Sequence, residues 1–335
     1  MAIPNTFTNG TLADADEVNA NFAYINPVSD IIASGDAGNW VTLVAFNSTT
    51  YSGFAGSNIQ TTTDSGATWT NKNVDLENAG VMGVGCKADS THAVAVETSA
   101  APEVAFTDDS GTTWTTRTSL AMDGGVNDVS FPTATLIVVG GQDGGGDTIE
   151  FSTDDGGTWT AATTSPSATV YAVDMFDGTT GYAIDASNNI WKTVNSGVDW
   201  SDTGDDVNSG ASDMKSIITL TADICLVFGD NGYIEHYTNS TNTVVLKASH
   251  GTLDYNFGFV ETGGKIFTIM RTGDGVSGGV LFMSEDAGLT WTATPTSIIQ
   301  DTTDRAHKRM LVAYDTGKIM WSNGTTLYKR DYSNL

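Results

Sequence analysis

One eight-residue phrase recurs through most of the chain at a near-constant interval, and it constrains the fold more than any other feature. The copies run from Thr62 to Trp69, Thr107 to Trp114, Ser152 to Trp159, Thr193 to Trp200 and Ser284 to Trp291. Their key residues Asp64, Asp109, Asp154 and Asn195 are spaced 45, 45 and 41 apart, and Asp286 follows 91 later, room for one worn copy between. A repeat of this length marks an array of one supersecondary unit.

The unit reads as four short strands. In residues 170–204, Val170–Phe176 is one strand, Gly181–Ile184 opens a second, Asn189–Thr193 is a third, and Asp199–Ser201 begins a fourth. Such a unit is one blade of a β-propeller. The phrase then falls in the hairpin between the third and fourth strands. Its Asp accepts backbone N–H groups, the Gly two positions on permits a positive φ, the preceding Ser or Thr adds a hydroxyl, and the Trp packs between sheets. Asp64, Asp109, Asp154, Asn195 and Asp286, with Trp69, Trp114, Trp159, Trp200 and Trp291, are therefore expected to be structural.

These residues resemble the Asp-box, or bacterial neuraminidase repeat, Ser/Thr-x-Asp-x-Gly-x-Thr-Trp. The resemblance implies a propeller whose boxes lie on the outer rim, away from the ligand face. Tyr237–Val244 fits as a sixth copy by register, and Asp331, 45 residues after Asp286, as a seventh. The count gives an all-β, seven-bladed propeller of four-stranded antiparallel blades over residues 27–335. Residues 27–33 are expected to close it by pairing with residues 325–333.

Residues 1–26 stand outside the repeat. Thr11–Asp14 resembles a capping box, and Ala15, Val18, Phe22 and Ile25 form one apolar stripe, so a short helical arm is expected. The run Ile3–Phe22 looks like a leader found in tailed-bacteriophage fibre and appendage proteins. That resemblance implies docking to other virion proteins through Val18, Phe22 and Ile25, display on the virion surface, and adhesion as the function. The stripe also permits a homotrimer. Photosystem-assembly propellers share the repeat type, but the acidity and the leader argue against that role.

The 40 acidic residues outnumber 14 basic ones, giving a net charge of −26. This argues against nucleic acid and against anionic membranes, because phosphate neutralisation needs Lys and Arg. No secretory h-region or membrane span is expected in the chain. Cys86 and Cys225, in different repeats, are expected to be buried and unlinked.

Enzymatic readings compete with a binding one. A sialidase holds its substrate carboxylate with an arginine triad; here Arg117, Arg271, Arg305, Arg309 and Arg330 supply it poorly. Another glycosidase needs two carboxylates across a cleft, with Asp128, Asp174, Asp213 and Asp254 as candidates. No catalytic residue and no cofactor is assigned. The oxygen-rich runs Gln142–Asp147 and Thr272–Gly275 are the places for a structural calcium, and His92, His236, His250 and His307 are too scattered for zinc. The preferred reading is a non-enzymatic phage surface protein binding a host receptor or glycan. The channel-mouth residues Trp40, Asn127, Tyr171, Asp213, Tyr255, His307 and Arg309 would line the site. The alternatives are a virion-associated glycan-cleaving enzyme and a capsid decoration protein without a ligand.

Overall fold

The computed structural model describes residues 30–32, 42–55, 58–72, 82–98, 102–122, 124–142, 144–145, 147–207, 214–249, 253–260, 264–272, 279–299, 311–315, 318–322 and 327–331. Strand β1 (Asp30–Ile32) comes first. The first blade then holds β2 (Thr42–Ala45), β3 (Tyr51–Ala55), β4 (Asn58–Thr62) and β5 (Thr70–Asn71). The second holds β6 (Met82–Lys87), β7 (Ala93–Glu97), β8 (Val104–Thr107) and β9 (Thr115–Arg117). The third holds β10 (Val126–Ser130), β11 (Ile137–Gly141), β12 (Ile149–Ser152) and β13 (Thr160–Ala161). The fourth holds β14 (Val170–Met175), β15 (Gly181–Asp185), β16 (Asn189–Thr193) and β17 (Ser201–Asp206). The fifth holds β18 (Met214–Thr221), β19 (Ile224–Gly229), β20 (Tyr233–Thr238) and β21 (Thr243–Ala248). The sixth holds β22 (Leu253–Val260), β23 (Ile266–Thr272), β24 (Gly279–Ser284) and β25 (Thr292–Ile299). Finally β26 (Leu311–Asp315), β27 (Lys318–Ser322) and β28 (Leu327–Asp331) form a sheet with β1, in the order β1-β28-β27-β26.

All these sheets are antiparallel, and all but the one containing β1 are simple meanders. Their first strands β2, β6, β10, β14, β18, β22 and β26 stand side by side in chain order, and β26 returns to β2, closing a ring. The alternation of each blade explains its burial. The second strands β7, β11 and β15 are buried along their whole length, whereas the outer strands β5 and β9 are mostly exposed. Apolar clusters bridge consecutive blades. One joins Val94, Val104 and Phe106 of the second blade to Val129, Ile137 and Val139 of the third. Another joins Ile184 and Ile190 of the fourth to Ile217 and Val227 of the fifth. Burial of such faces is the main favourable term in holding blades together. Cys86 and Cys225 are buried and free of disulfides.

The sequence-based architecture needs correction. The structure has six complete blades rather than seven, since only these six draw all four strands from one continuous stretch of chain. The remaining sheet is a composite of β1 with β26–β28, in which Asp30, Ile31 and Ile32 pair with Lys329, Tyr328 and Leu327. The segment expected to close the ring thus does so. The repeat count misled because Asp331 is not a turn aspartate; it ends β28, paired with Lys318. The helical arm expected within residues 1–26 lies outside the described residues, among which there is no α-helix, only a three-residue 3-10 turn at Asp230–Gly232. The stripe residues Val18, Phe22 and Ile25 lie outside the described residues. No helix among the described residues is long and apolar enough to cross a membrane.

Candidate functional site

The repeated phrase forms an eight-residue connection between the third and fourth strands of five blades, for example between the paired residues Thr61 and Thr70. Asp64 Oδ1 accepts the Thr68 backbone N–H at 2.8 Å, while Oδ2 accepts the Thr68 hydroxyl at 2.6 Å. The Thr62 hydroxyl donates to Asp64 Oδ1 and accepts the Gly66 N–H. The same net recurs around Asp109, Asp154 and Asp286. In the variant turn, Asn195 Nδ2 donates to Asp199 Oδ2 at 2.8 Å, so the charge has moved four residues along while the bridge survives. The Thr68 hydroxyl and N–H hold the Asp64 carboxyl down at about 2, and Thr290 does the same for Asp286, also at about 2.

Two features of this turn were not read from the sequence. The residue after the aspartate is left-handed in every copy: Ser65, Ser110, Asp155, Ser196 and Ala287 have φ between 57° and 65°. Its N–H, or that of its counterpart, reaches back to the hairpin between the first two strands of the same blade. Ser65 N–H donates to Thr49 O, Ser110 to Thr91 O, Asp155 to Thr135 O and Ser196 to Thr179 O. Those hairpins are themselves built on Asx turns at Asn47, Asp89 and Asp177. The turn then leans on the preceding blade. Trp114 meets Phe54 edge-on at 5.5 Å and Trp291 meets Phe228 edge-on at 5.9 Å. Trp200 is buried in the cluster containing Val138 and Ile149. Trp159 donates to Thr118 O. The sixth copy expected at Tyr237–Val244 is not such a turn. Tyr237 pairs with Val244 and Thr238 with Thr243, leaving a tight four-residue turn.

The opposite end of the ring is where the first strands begin, and it is irregular in a repeated way. Register shifts interrupt β6 between Met82 and Val84, β10 between Val126 and Asp128, β14 between Val170 and Ala172, β18 between Met214 and Ser216, and β22 between Tyr255 and Gly258. A bulge leaves an extra residue unpaired in the ladder and re-aims its side chain. The residues so placed on β10, β14 and β18 are Asn127, Tyr171 and Lys215. All three are partly exposed in strands that are otherwise mostly buried. Asn127 and Tyr171 were expected at this end. The sequence points to Asp213 here, whereas the residue at the β18 bulge is Lys215, two positions on. Asp213, Trp40, His307 and Arg309 lie outside the described residues, and Tyr255 is placed in β22 by its backbone.

Neighbouring blades pin these bulges. Asn127 Nδ2 donates to Val170 O at 2.8 Å, immediately before Tyr171. Asn188 Oδ1 accepts the Met214 N–H at 3.2 Å, immediately before Lys215. The Lys215 ammonium lies 5.0 Å from the centre of the Tyr171 ring and 3.9 Å from Asp230 Oδ2. Asn127 is thus partly committed to holding the next strand.

Two of the four candidate carboxylates, Asp128 and Asp174, are bonded to backbone amides; Asp213 lies outside the described residues, and Asp254 is placed in β22 by its backbone. Asp128 accepts the Val129 N–H at 2.9 Å and, across the blade boundary, the Val173 N–H at 3.1 Å. Asp174 accepts the Thr219 N–H of the next blade at 2.7 Å, and the Thr219 hydroxyl donates to Asp174 O at 2.9 Å. Between them the Ser130 hydroxyl accepts the Met175 N–H at 3.0 Å. These side chains clamp one first strand to the next. Arg117 is stacked 4.4 Å over Phe106 on the second blade. Among the described residues, no three His, Cys, Asp or Glu side chains group to hold a metal. The proposed calcium runs, His250 and His307 fall wholly or partly outside the described residues.

No family model and no curated protein matches the chain. Solved structures do. YCF48 bound to D1 peptide is 10% identical with a TM-score of 0.66, over 90% of this chain and 94% of that one. YCF48 from Cyanidioschyzon merolae is 14% identical with a TM-score of 0.64, over 91% and 99%. The GH74 xyloglucanase from Xanthomonas campestris is 11% identical with a TM-score of 0.67, over 92% of this chain and 54% of that one. What this chain shares with them is the β-propeller fold.

Proposed function

We propose that this chain is a bacteriophage virion surface protein, of the fibre or appendage kind, whose propeller binds a host-surface glycan at the bulged end of its ring. The observation that carries the binding part is the division of labour among the first strands. Asp128 and Asp174 are bonded to backbone amides of the next blade, which suits a scaffold rather than an acid/base pair. Beside them, Asn127 and Tyr171 are raised on pinned bulges and partly exposed, an amide and an aromatic of the kind that contact sugars. The virion part rests on the resemblance of residues 3–22 to phage leaders, and residues 1–26 would dock to other virion proteins. The Asp-box resemblance of the five turns fits the same picture, with the rim carrying stability and the other end carrying recognition.

Two measurements test this. Antibody labelling of intact particles should place the protein on the virion surface; its absence from particles would refute the virion assignment. A glycan array probed with the folded protein should give saturable binding with the sugar intact afterwards. Cleaved products would favour the enzyme, and no binding would favour a decoration protein.

A further inference from the structure

We infer that β21, the outermost strand of the fifth blade, pairs edge to edge with β21 of a second copy of this chain. The inference is independent of the glycan reading and concerns another part of the ring. It begins where one blade departs from the others. In the first, second and third blades the outer strand is only two or three residues long. In the fourth it is the acidic run Ser201–Asp206, and in the sixth it carries Pro295. Shortness, charge and proline keep a sheet edge from pairing with another chain. By contrast, β21 is six residues long, has no proline and carries one charged side chain, Lys247. The fifth blade has also lost the repeated turn, and Val244 stands where its tryptophan would open the strand.

The edge of β21 is open. It pairs with β20 on one side and ends its sheet on the other, and among the described residues no strand covers it. Val245 and Leu246 point to opposite faces of the strand, yet both are exposed, at 47% and 41%. The occupant that fits is an extended strand, whose backbone supplies the ladder while its side chains meet both faces.

What β21 sets against itself favours a second copy. Antiparallel pairing about a two-fold axis through Val245 places Val245 opposite its own copy, Val244 opposite Leu246, and Thr243 opposite Lys247. Apolar side chains then meet apolar ones on both faces. The two Lys247 residues stand four positions apart along the strands, about 14 Å, which exceeds the Debye length of about 8 Å at physiological salt. Each Lys247 arrives instead at the Thr243 end of the other copy, where the adjoining Asn242 amide lies 3.3 Å from Asp205 Oδ2. A cation thus approaches an end that holds an anion. Elsewhere the net charge of −26 opposes self-association, but residues 236–253 contain no acidic residue.

The test is sedimentation velocity of the full chain from micromolar to near-millimolar concentration, for the parent, Val245→Lys and Leu289→Lys. The parent should form a weak, reversible dimer. Val245→Lys puts like charges at the self-paired position and should weaken the dimer by at least about tenfold. Its thermal midpoint should not change, because the side chain is exposed. Leu289→Lys, at another exposed apolar residue, should leave the dimer intact. Cysteine linkage checks the register, since Cys86 and Cys225 are buried. With oxidised glutathione, Val245→Cys should link into a dimer much faster than Leu246→Cys. A parent that stays monomeric at every concentration would overturn the inference. So would a dimer equally strong in Val245→Lys, because it would be held elsewhere. Faster linkage through Leu246→Cys would overturn the two-fold axis through Val245. None of these results depends on whether the protein binds a sugar.

Discussion

Lys329 and Tyr51, separated by 278 residues, meet where the composite sheet faces the first blade. The Lys329 ammonium donates to Tyr51 Oη at 2.6 Å and lies 4.3 Å from the centre of the same ring. It also donates to Ser65 O at 3.3 Å, inside the first repeated turn. Burial pushes the Tyr51 hydroxyl above its ordinary value, although its bond with Ser65 works against that, so the phenol stays neutral at physiological pH. Strand pairing of β1 with β28 and this clasp together tie the first blade to the last strands of the chain.

Lys329→Met should therefore destabilise the protein by about 1 kcal/mol, the scale of one partly exposed charged hydrogen bond. Tyr51→Phe should cost a similar amount. In a double-mutant cycle by chemical denaturation the two losses should add only in part, because they share the Lys329–Tyr51 bond while each also removes one of its own, Lys329 to Ser65 O and Tyr51 to Ser48 O. Additive losses would mean that the two residues act separately.

Asp174 offers a clean separation of scaffold from chemistry. Asp174→Ala leaves the Thr219 N–H without its acceptor and should cost about 1.5–3 kcal/mol. Asp174→Asn keeps an acceptor and should recover most of that stability. If Asp174→Asn instead kept full stability and abolished a glycan-cleaving activity, the enzyme alternative would be preferred.

The turn glycines are held by both conformation and contact. Gly288 has φ +82°, and a Cβ there would lie 2.4 Å from Leu226 Cδ1 of the preceding blade. Gly204 has φ +77° with nothing within 4 Å. Gly288→Ala should cost about 2–4 kcal/mol, combining left-handed strain with overpacking, and Gly204→Ala only about 1 kcal/mol. Equal thermal shifts for the two would show that the preceding blade yields freely at the turn.

Acid should loosen the turns in a defined window. Asp64 and Asp286 titrate at about 2 in the fold, below the unfolded aspartate value of about 3.9. A depressed carboxyl pKa contributes stability that is complete above about pH 4 and lost as the pH falls toward 2. Glu150 has the opposite sign. Burial raises it, against the Ala121 and Met122 amides that lower it, so its effect becomes unfavourable as pH rises above the unfolded glutamate value near 4.3. Thr68→Val should raise the Asp64 pKa in an NMR titration, and Glu150→Gln should stabilise more at pH 7 than at pH 4. An unshifted Asp64 would mean that the Thr68 hydroxyl is not its main support.

Much of this was legible in the sequence because the repeat has a strict local chemistry. The Ser/Thr, Asp, Gly and Thr of each turn bond within eight residues, so their spacing alone reveals the net. The strands of the fourth blade also begin close to where their β-branched and aromatic residues predict, apart from β17, which starts at Ser201. What was hidden depends on non-local contacts. The left-handed residue after each aspartate is Ser, Asp or Ala, so no residue type marks it. Asp128 and Asp174 look like available carboxylates until strands 45 residues on supply their donors. Lys215 was missed because a bulge cannot be read from hydrophobic alternation, and Asp331 was miscounted because a lone aspartate carries no turn partners.

The claim that recognition belongs to the bulged end can be tested by hydrogen–deuterium exchange on the intact protein, with and without a bound host glycan. Slowed exchange should appear at residues 126–128, 170–172 and 214–216, with the repeated turns at 62–69, 107–114 and 152–159 unchanged. Protection confined to the turns, with the bulged strand starts exchanging as in the free protein, would contradict it.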